Sequence, residues 1–166
     1  MAAGKTGALV SCSAAVGAVL AGAPADTVAA LEAYGARVGL AFQLEDDLLG
    51  IWGDPAVTGK PALADLRARK KSLPVAAALA TGGRAAGRLR DWLTTPAPRP
   101  DHVVDDLAEL RGIADLVEDA GGRAWAAAEA RRQVALAERA LADAPVDPAA
   151  AAELVALARS LLGRSA

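Results

Sequence analysis

Alanine supplies much of the apolar content of this chain, and this feature constrains the fold more than any other. Hydrophobic residues make up 54% of the 166 residues, whereas aromatic residues make up 3%. Alanine is the best helix former and is depleted in strands, so the composition predicts packed helices rather than a sheet. We therefore expect an all-α helical bundle, and the length is typical of one domain.

Charge and side-chain chemistry exclude several classes of function. The 18 basic and 20 acidic side chains nearly cancel, whereas a dedicated nucleic-acid binder usually has a strong basic excess, so we expect no nucleic acid partner. A single cysteine, Cys12, excludes an internal disulfide and a Cys-rich zinc site, and a single histidine, His102, excludes paired-His catalysis. Carboxylates would have to hold any bound metal, which favours magnesium or another hard cation.

The N-terminal segment imitates a signal peptide. Lys5 precedes a run without charge from Thr6 to Ala25, with small residues just before Pro24. Proline at that point disfavours cleavage, and a run rich in Ala, Gly and Ser is weakly hydrophobic for a membrane span. We therefore expect a helix that is buried on all sides inside a soluble bundle. We also expect no membrane span and a cytoplasmic location.

Glycine and proline divide the chain into helical segments. The predicted helices cover residues 3–21, 26–53, 74–80, 84–93, 101–110 and 123–142. Residues 112–119 continue or restart the helix at 101–110, and a last helix begins at 146–148. Residues 53–74 form a polar stretch that is long for a structureless connection, and such loops are often functional. Cys12 is expected to be a small buried residue, and the three tryptophans, Trp52, Trp92 and Trp125, are expected to pack in a core or an interface.

The acidic end of the second predicted helix carries the most informative chemistry. Gln43, Asp46 and Asp47 lie at helical spacings of three and four. Adjacent carboxylates in an apolar helix carry a desolvation cost unless cations meet them. Their alternative interpretation is a last helical turn that reaches solvent.

Basic residues follow this acidic turn closely. Lys60 and Lys70 belong to a stretch that also contains Arg67, Arg69 and Lys71. These cations are either solvated surface groups and ion-pair partners, or the donors that a polyanionic ligand needs beside a carboxylate-bound metal.

Three blocks of the sequence together resemble a known family. They are KTGAL at 5–9, YGARVGLAFQLEDDLLGIWGD at 34–54 and TGKPALADLRARKKSLP at 58–74. In order, spacing and residue type they are similar to the trans-isoprenyl diphosphate synthases, also called polyprenyl synthetases. The resemblance covers the chain as a C-terminal half, and after Ala80 it rests only on generic helices.

The resemblance implies a fold and a reaction. The family folds as an all-α bundle around a deep cavity, so the chain would form the C-terminal part of the isoprenoid synthase fold. Family members condense an allylic prenyl diphosphate with isopentenyl diphosphate and release pyrophosphate. Mg²⁺ and lysine ammonium groups neutralise the charge that develops on the departing pyrophosphate.

The resemblance also implies roles for individual residues. The expected metal ligands are Asp46, Asp47 and Asp65. The expected diphosphate-binding residues are Lys5, Lys60 and Lys70, and the expected catalytic residues are Lys5, Thr6, Gln43 and Lys60.

Three departures from the family pattern affect these expectations. Gly50 stands where the family has a third Asp, and Leu63 replaces a usual glycine, which would distort the turn if a positive φ is needed there. The first Asp-rich motif of the family is also missing. We therefore expect residues 1–166 to form one partial polyprenyl synthetase domain that associates as a homodimer or with a partner synthase. The alternative is a non-catalytic subunit or truncated remnant that pairs with a full-length synthase.

Overall fold

A computed structural model describes residues 3–95 and 107–162, excluding the side chains of Ala3 and Lys5. Within these ranges the chain is helical and contains no strand, which confirms the all-α prediction. A π-helical turn, Ala3–Gly7, precedes α1 (Ala8–Leu20), α2 (Ala25–Trp52), α3 (Pro55–Thr58), α4 (Ala64–Arg67), α5 (Leu73–Ala80), α6 (Gly83–Thr94), α7 (Leu107–Asp119), α8 (Gly122–Ala142) and α9 (Pro148–Arg159). The predicted helix start at Asp101, and His102, lie outside the described residues.

The chain divides into two compact units. Among the described residues, the first unit contains 3–45 and 129–162, and the second unit contains 46–95 and 107–128. Helices α2 and α8 therefore each contribute residues to both units. The expectation of a single domain stays a prediction.

The core of the first unit is built mostly from small and medium side chains on three helices. Its buried members are Tyr34, Val38 and Ala41 on α2, Val134, Ala137 and Leu141 on α8, and Ala158 on α9. The Tyr34 hydroxyl donates a hydrogen bond to the Leu154 carbonyl oxygen at 2.8 Å. This bond satisfies a polar group that would otherwise be costly to bury.

Helices α1 and α2 meet backbone to backbone in the first unit. A Cβ atom added at Gly35 would lie 2.6 Å from the Val10 carbonyl oxygen. One added at Gly39 would lie 2.9 Å from the Cα of Gly7 and 3.2 Å from the carbonyl oxygen of Thr6. Since Gly35 and Gly39 are four residues apart, they share one helix face. This face holds the π-helical turn and α1 against α2.

Helix α1 is not buried on all sides, and that prediction is wrong. Only one residue of this helix, Ala15, is buried, because α1 packs on one side against the glycine face of α2. The large apolar side chains that remain exposed are Leu9 (69%), Val16 (46%), Val19 (56%) and Leu20 (83%). Cys12 is exposed as well, contrary to expectation.

The second unit has a core of its own. Its fully buried side chains include Leu66, Val75, Leu89, Leu110 and Val117, which come from α4, α5, α6 and α7. Trp52 and Trp92 pack partly against this core, as expected. Trp125 remains 46% exposed, so it is not a core residue, and the expected interface position stays a prediction.

None of the described helices is both long enough and apolar enough to cross a membrane.

We expect Gly39→Ala to destabilise the protein by about 2 kcal/mol, since the new methyl group meets backbone atoms that cannot rotate away. Gly17→Ala is the matched control, because Gly17 lies in α1 with nothing within 4 Å of its added Cβ. The control should be neutral or stabilising by up to about 1 kcal/mol. Urea unfolding measures both changes, and equal stability of the two variants would contradict the close approach.

Candidate active site

The loop after α2 is built to hold Lys60. The Asp54 carboxylate accepts a hydrogen bond from the Ala56 amide at 2.9 Å and caps α3. The Thr58 hydroxyl donates to the Asp54 carbonyl oxygen at 3.1 Å and accepts from the Lys60 amide at 3.2 Å. Gly59, at φ +67°, closes the turn in the left-handed region that suits glycine. The backbone of Lys60 is therefore fixed by local hydrogen bonds.

Lys60 and Asp46 form an ion pair that faces solvent. The Lys60 ammonium donates to Asp46 Oδ1 at 3.1 Å, and the two side chains are 50% and 37% exposed. Exposed pairs of this kind contribute about 0–1 kcal/mol. The pair therefore opens at little cost when a ligand competes for either charge.

Asp47, one residue later, has a different environment. Its side chain is 3% exposed. Oδ1 accepts a hydrogen bond from the Lys70 ammonium at 2.9 Å, and Oδ2 accepts from the Leu73 amide at 2.7 Å. Leu73 is the first residue of α5, and the preceding residue, Ser72, makes no capping hydrogen bond through its side chain. Asp47 therefore caps α5 from a distant part of the chain, which is favourable for a negative charge.

Lys70 bridges two carboxylates. Its ammonium also donates to Asp65 Oδ2 at 2.8 Å, and the Asp65 side chain is 12% exposed. Partial burial lowers the pKa of Lys70, but hydrogen bonds to Asp65 and Asp47 and their negative charges outweigh it and raise the pKa from 10.5 to about 12. Lys70 is therefore charged at neutral pH, and both of its partners are largely buried.

Two residues with positive φ flank α4. Leu63 has φ +57° and Arg69 has φ +49°. Leu63 therefore adopts the left-handed conformation that a glycine would adopt more easily. Its side chain is 8% exposed and lies in the core of the second unit. Arg69 stacks over the Trp92 ring, 4.7 Å from its centre, and donates to the Thr95 carbonyl oxygen. These contacts hold the loop in its shape.

In the first unit, Thr6 and Gln43 are brought together. The Thr6 hydroxyl donates to Gln43 Oε1 at 3.1 Å. Lys5 lies in the π-helical turn, and its side chain is outside the described residues. In the second unit, Asp46 lies with Lys60, and Asp47 lies with Asp65 and Lys70.

The carboxylates differ in how well they fit a metal ion. Their oxygen atoms are the donors that Mg²⁺ prefers. However, no three His, Cys, Asp or Glu side chains converge in the described part of the chain in a way that could hold a metal. Both oxygens of Asp47 accept protein hydrogen bonds, whereas Asp46 is half-exposed and paired through one oxygen. Asp46 therefore fits a metal ligand, and the environment of Asp47 fits a positioning residue.

Sequence reasoning missed two contributors to this region. The amide of Leu73 is a partner of Asp47, and Gly50 leaves the space in which the Asp65 carboxylate lies. The available sign was Gly50 itself, a glycine inside the predicted helix and four residues after Asp46.

The segment that contains these residues matches a known family. A sequence model described as polyprenyl synthetase matches residues 1–110, the part that contains all the candidate residues. The chain belongs to the polyprenyl synthetase family. It is 51% identical to the (2E,6E)-farnesyl diphosphate synthase of Mycobacterium tuberculosis, over 100% of this chain and 45% of that protein. The chain thus spans less than half the length of this relative.

Solved structures of polyprenyl synthetases share the fold. The crystal structure of a polyprenyl synthetase from Streptomyces coelicolor A3(2) matches with a TM-score of 0.92 and 49% identity, over 97% of this chain and 48% of that one. The geranylgeranyl pyrophosphate synthase of Corynebacterium glutamicum, complexed with isoprenyl diphosphate and magnesium, matches with a TM-score of 0.74 and 31% identity, over 90% and 41%. The expected isoprenoid synthase fold is confirmed.

We expect Lys70→Met to destabilise the protein by about 2 kcal/mol, because it leaves the buried Asp47 carboxylate without its ammonium partner. Lys71→Met is the matched control, since Lys71 is the next residue and is exposed. The control should change stability by less than about 0.5 kcal/mol. Thermal and urea unfolding provide the comparison, and similar losses in both variants would contradict the bridging arrangement.

At Leu63, strain and burial oppose each other. The left-handed conformation costs a leucine about 1–2 kcal/mol, whereas burial of its side chain contributes about 2–3 kcal/mol. We therefore expect Leu63→Gly to destabilise by about 1 kcal/mol and Leu63→Ala to destabilise by more, since alanine loses the burial and keeps the strain. Urea midpoints should rank wild type above Gly above Ala, and an alanine variant as stable as the glycine variant would contradict the positive φ.

Proposed function

We propose that this chain provides magnesium- and diphosphate-binding residues of a prenyltransferase in isoprenoid biosynthesis. The reaction would join an allylic prenyl diphosphate to isopentenyl diphosphate. The observation that carries the proposal is the solvent-facing Asp46–Lys60 pair, which offers one carboxylate and one ammonium group on locally fixed backbone. Family membership supports it. Two relatives support it as well: one is named a farnesyl diphosphate synthase, and the crystal structure of the other is a complex with isoprenyl diphosphate and magnesium.

The chemistry explains why these side chains suit the reaction. Breaking the allylic carbon–oxygen bond places negative charge on pyrophosphate and leaves a carbocation. A bound Mg²⁺ would neutralise the pyrophosphate charge as a Lewis acid, with Asp46 as its main protein ligand. Lys60 would leave Asp46 and donate to a diphosphate oxygen, at a cost of no more than about 1 kcal/mol for the lost surface pair.

The remaining candidate residues divide into two groups. Asp47 and Lys70 would act mainly by positioning the loop, because their charges already satisfy each other beside α5. Lys5 would contact the diphosphate. Thr6 and Gln43 would act together through their hydrogen bond in the first unit.

A non-catalytic subunit is the second candidate function. It is favoured by the apolar face of α1, where Leu9, Val16, Val19 and Leu20 remain exposed. Exposed apolar patches of several hundred Å² typically mark interaction sites. Under either function we propose that this face associates with a second copy or a partner synthase. Charged diphosphate substrates and the single thiol are consistent with a cytoplasmic location.

Calorimetric titration with geranyl diphosphate tests the proposal directly. Wild type should bind in the presence of Mg²⁺ and lose this binding in EDTA, because the cation screens the diphosphate from the carboxylate. Asp46→Asn should weaken binding at least tenfold, about 1.4 kcal/mol. Asp115→Asn is the matched control, since Asp115 is an exposed acid on α7, and it should bind like wild type.

Each outcome discriminates between the two functions. Formation of radiolabelled prenyl diphosphate from isopentenyl diphosphate would support the enzyme. Binding without product would support the non-catalytic subunit. Absence of binding with and without Mg²⁺, or equal binding by Asp46→Asn and wild type, would overturn the assigned site.

A further inference from the structure

A carboxylate occupies the space beside Gly50. A Cβ atom added at Gly50 would lie 2.5 Å from Cγ of Asp65, 2.7 Å from its Oδ2 and 2.8 Å from its Oδ1. Real Cβ atoms essentially never approach other heavy atoms this closely. The Asp65 carboxylate therefore lies directly on the surface of α2, in the position that a side chain at residue 50 would take.

Asp65 is held in this position from several directions. Its Oδ2 accepts from the Lys70 ammonium at 2.8 Å, and its backbone oxygen accepts from the Lys70 amide at 2.8 Å. The next residue, Leu66, is completely buried, and Leu63 is 8% exposed. Turning the Asp65 carboxylate away from α2 would disturb its ion pair with Lys70, and moving its backbone would disturb the two core leucines. A side chain at residue 50 would therefore be accommodated only at the expense of one of these contacts.

The geometry of α2 relates Asp65 to Asp46. Residues 46 and 50 are four apart on one helix, so their side-chain positions are neighbours, about 5–6 Å between Cβ atoms. Because the Asp65 carboxylate fills the side-chain position of residue 50, it lies one helical turn from Asp46 on the same face. The loop thus places an acidic group where the helix has none.

We propose that Gly50 is a positioning residue that seats the Asp65 carboxylate on α2, so that the loop rather than the helix supplies the second acidic group of the Asp46 face. The use of this face in binding a divalent cation rests on the proposed function. The seating of Asp65 does not, because it follows from the contacts of Gly50 alone.

A double-mutant cycle tests the seating. Gly50→Ala should lower the melting temperature by about 5 °C, a typical shift for overpacking in a chain of this length. In an Asp65→Ala background the same change should leave the melting temperature unchanged or raise it by up to about 4 °C, because the clashing carboxylate is gone and alanine favours the helix. Gly112→Ala on α7 is the matched control, since nothing lies within 4 Å of its added Cβ. Asp65→Ser replaces Asp65→Ala if the latter does not fold.

A transposition experiment tests the role of the acidic group. Titration with Mg²⁺ alone should show at least threefold weaker binding for Asp65→Gly. The double variant Gly50→Asp with Asp65→Gly should return the affinity to within threefold of wild type, since it moves the carboxylate from the loop to the helix. Melting temperatures of the same variants are compared as well, because affinity that recovers only in step with stability would indicate a purely structural role of Asp65.

The outcomes separate this inference from the proposed function. An equal effect of Gly50→Ala with and without Asp65 would overturn the seating. Undiminished Mg²⁺ affinity in Asp65→Gly, or no rescue by the transposed carboxylate, would overturn the proposal that Asp65 and Asp46 form one acidic face. If wild type binds no Mg²⁺ while the cycle shows coupling, the proposed function fails and the seating of Asp65 stands.

Discussion

The burial of the Asp47 carboxylate is the constraint on which the polar loop of the second unit depends. An ionised carboxylate removed from water requires partners that compensate for its lost hydration. Here the partners are the Lys70 ammonium at 2.9 Å and the amide at the start of α5 at 2.7 Å. Because these partners lie 23 and 26 residues away along the chain, their hydrogen bonds fix the path of the loop between α2 and α5. The exposed Asp46 and Lys60 therefore lie beside a loop whose path is fixed.

The two adjacent aspartates illustrate how burial separates chemically identical groups. Asp46 keeps access to solvent and holds Lys60 through a weak surface pair, whereas Asp47 is enclosed and takes part in a network with Lys70 and Asp65. Such a separation is useful in a site that must both keep its shape and exchange ligands. The enclosed carboxylate maintains the shape, and the exposed one remains able to exchange partners.

Much of the fold could be predicted from the sequence because local rules agree with one another. Alanine content indicated helices, and Asp147 followed by Pro148 marked the start of α9, where the carboxylate does cap the helix. The resemblance to polyprenyl synthetases implied the candidate residues. The structure places those with described side chains in three local sets, Thr6 with Gln43, Asp46 with Lys60, and Asp47 and Asp65 with Lys70. Burial on all sides of α1 was predicted wrongly, since apolar composition alone does not show which neighbours a helix will have.

The details of the site depended on contacts between residues distant in sequence. The sequence indicated that Gly50 lacks a carboxylate, but the approach of Asp65 to that position could not be deduced from spacing. Likewise, the sequence shows a leucine at residue 63 in place of a usual glycine, but it does not show the burial of that side chain. In the structure this burial in the core of the second unit opposes the strain of the positive φ.

The exposure of Cys12 has a practical consequence. Cys12 is the only cysteine in the chain, and it lies three residues after Leu9 and four before Val16 on α1. These spacings place it on the same helix face as the two exposed apolar side chains. A fluorophore attached to this thiol would therefore report on shielding of the face without any engineered cysteine.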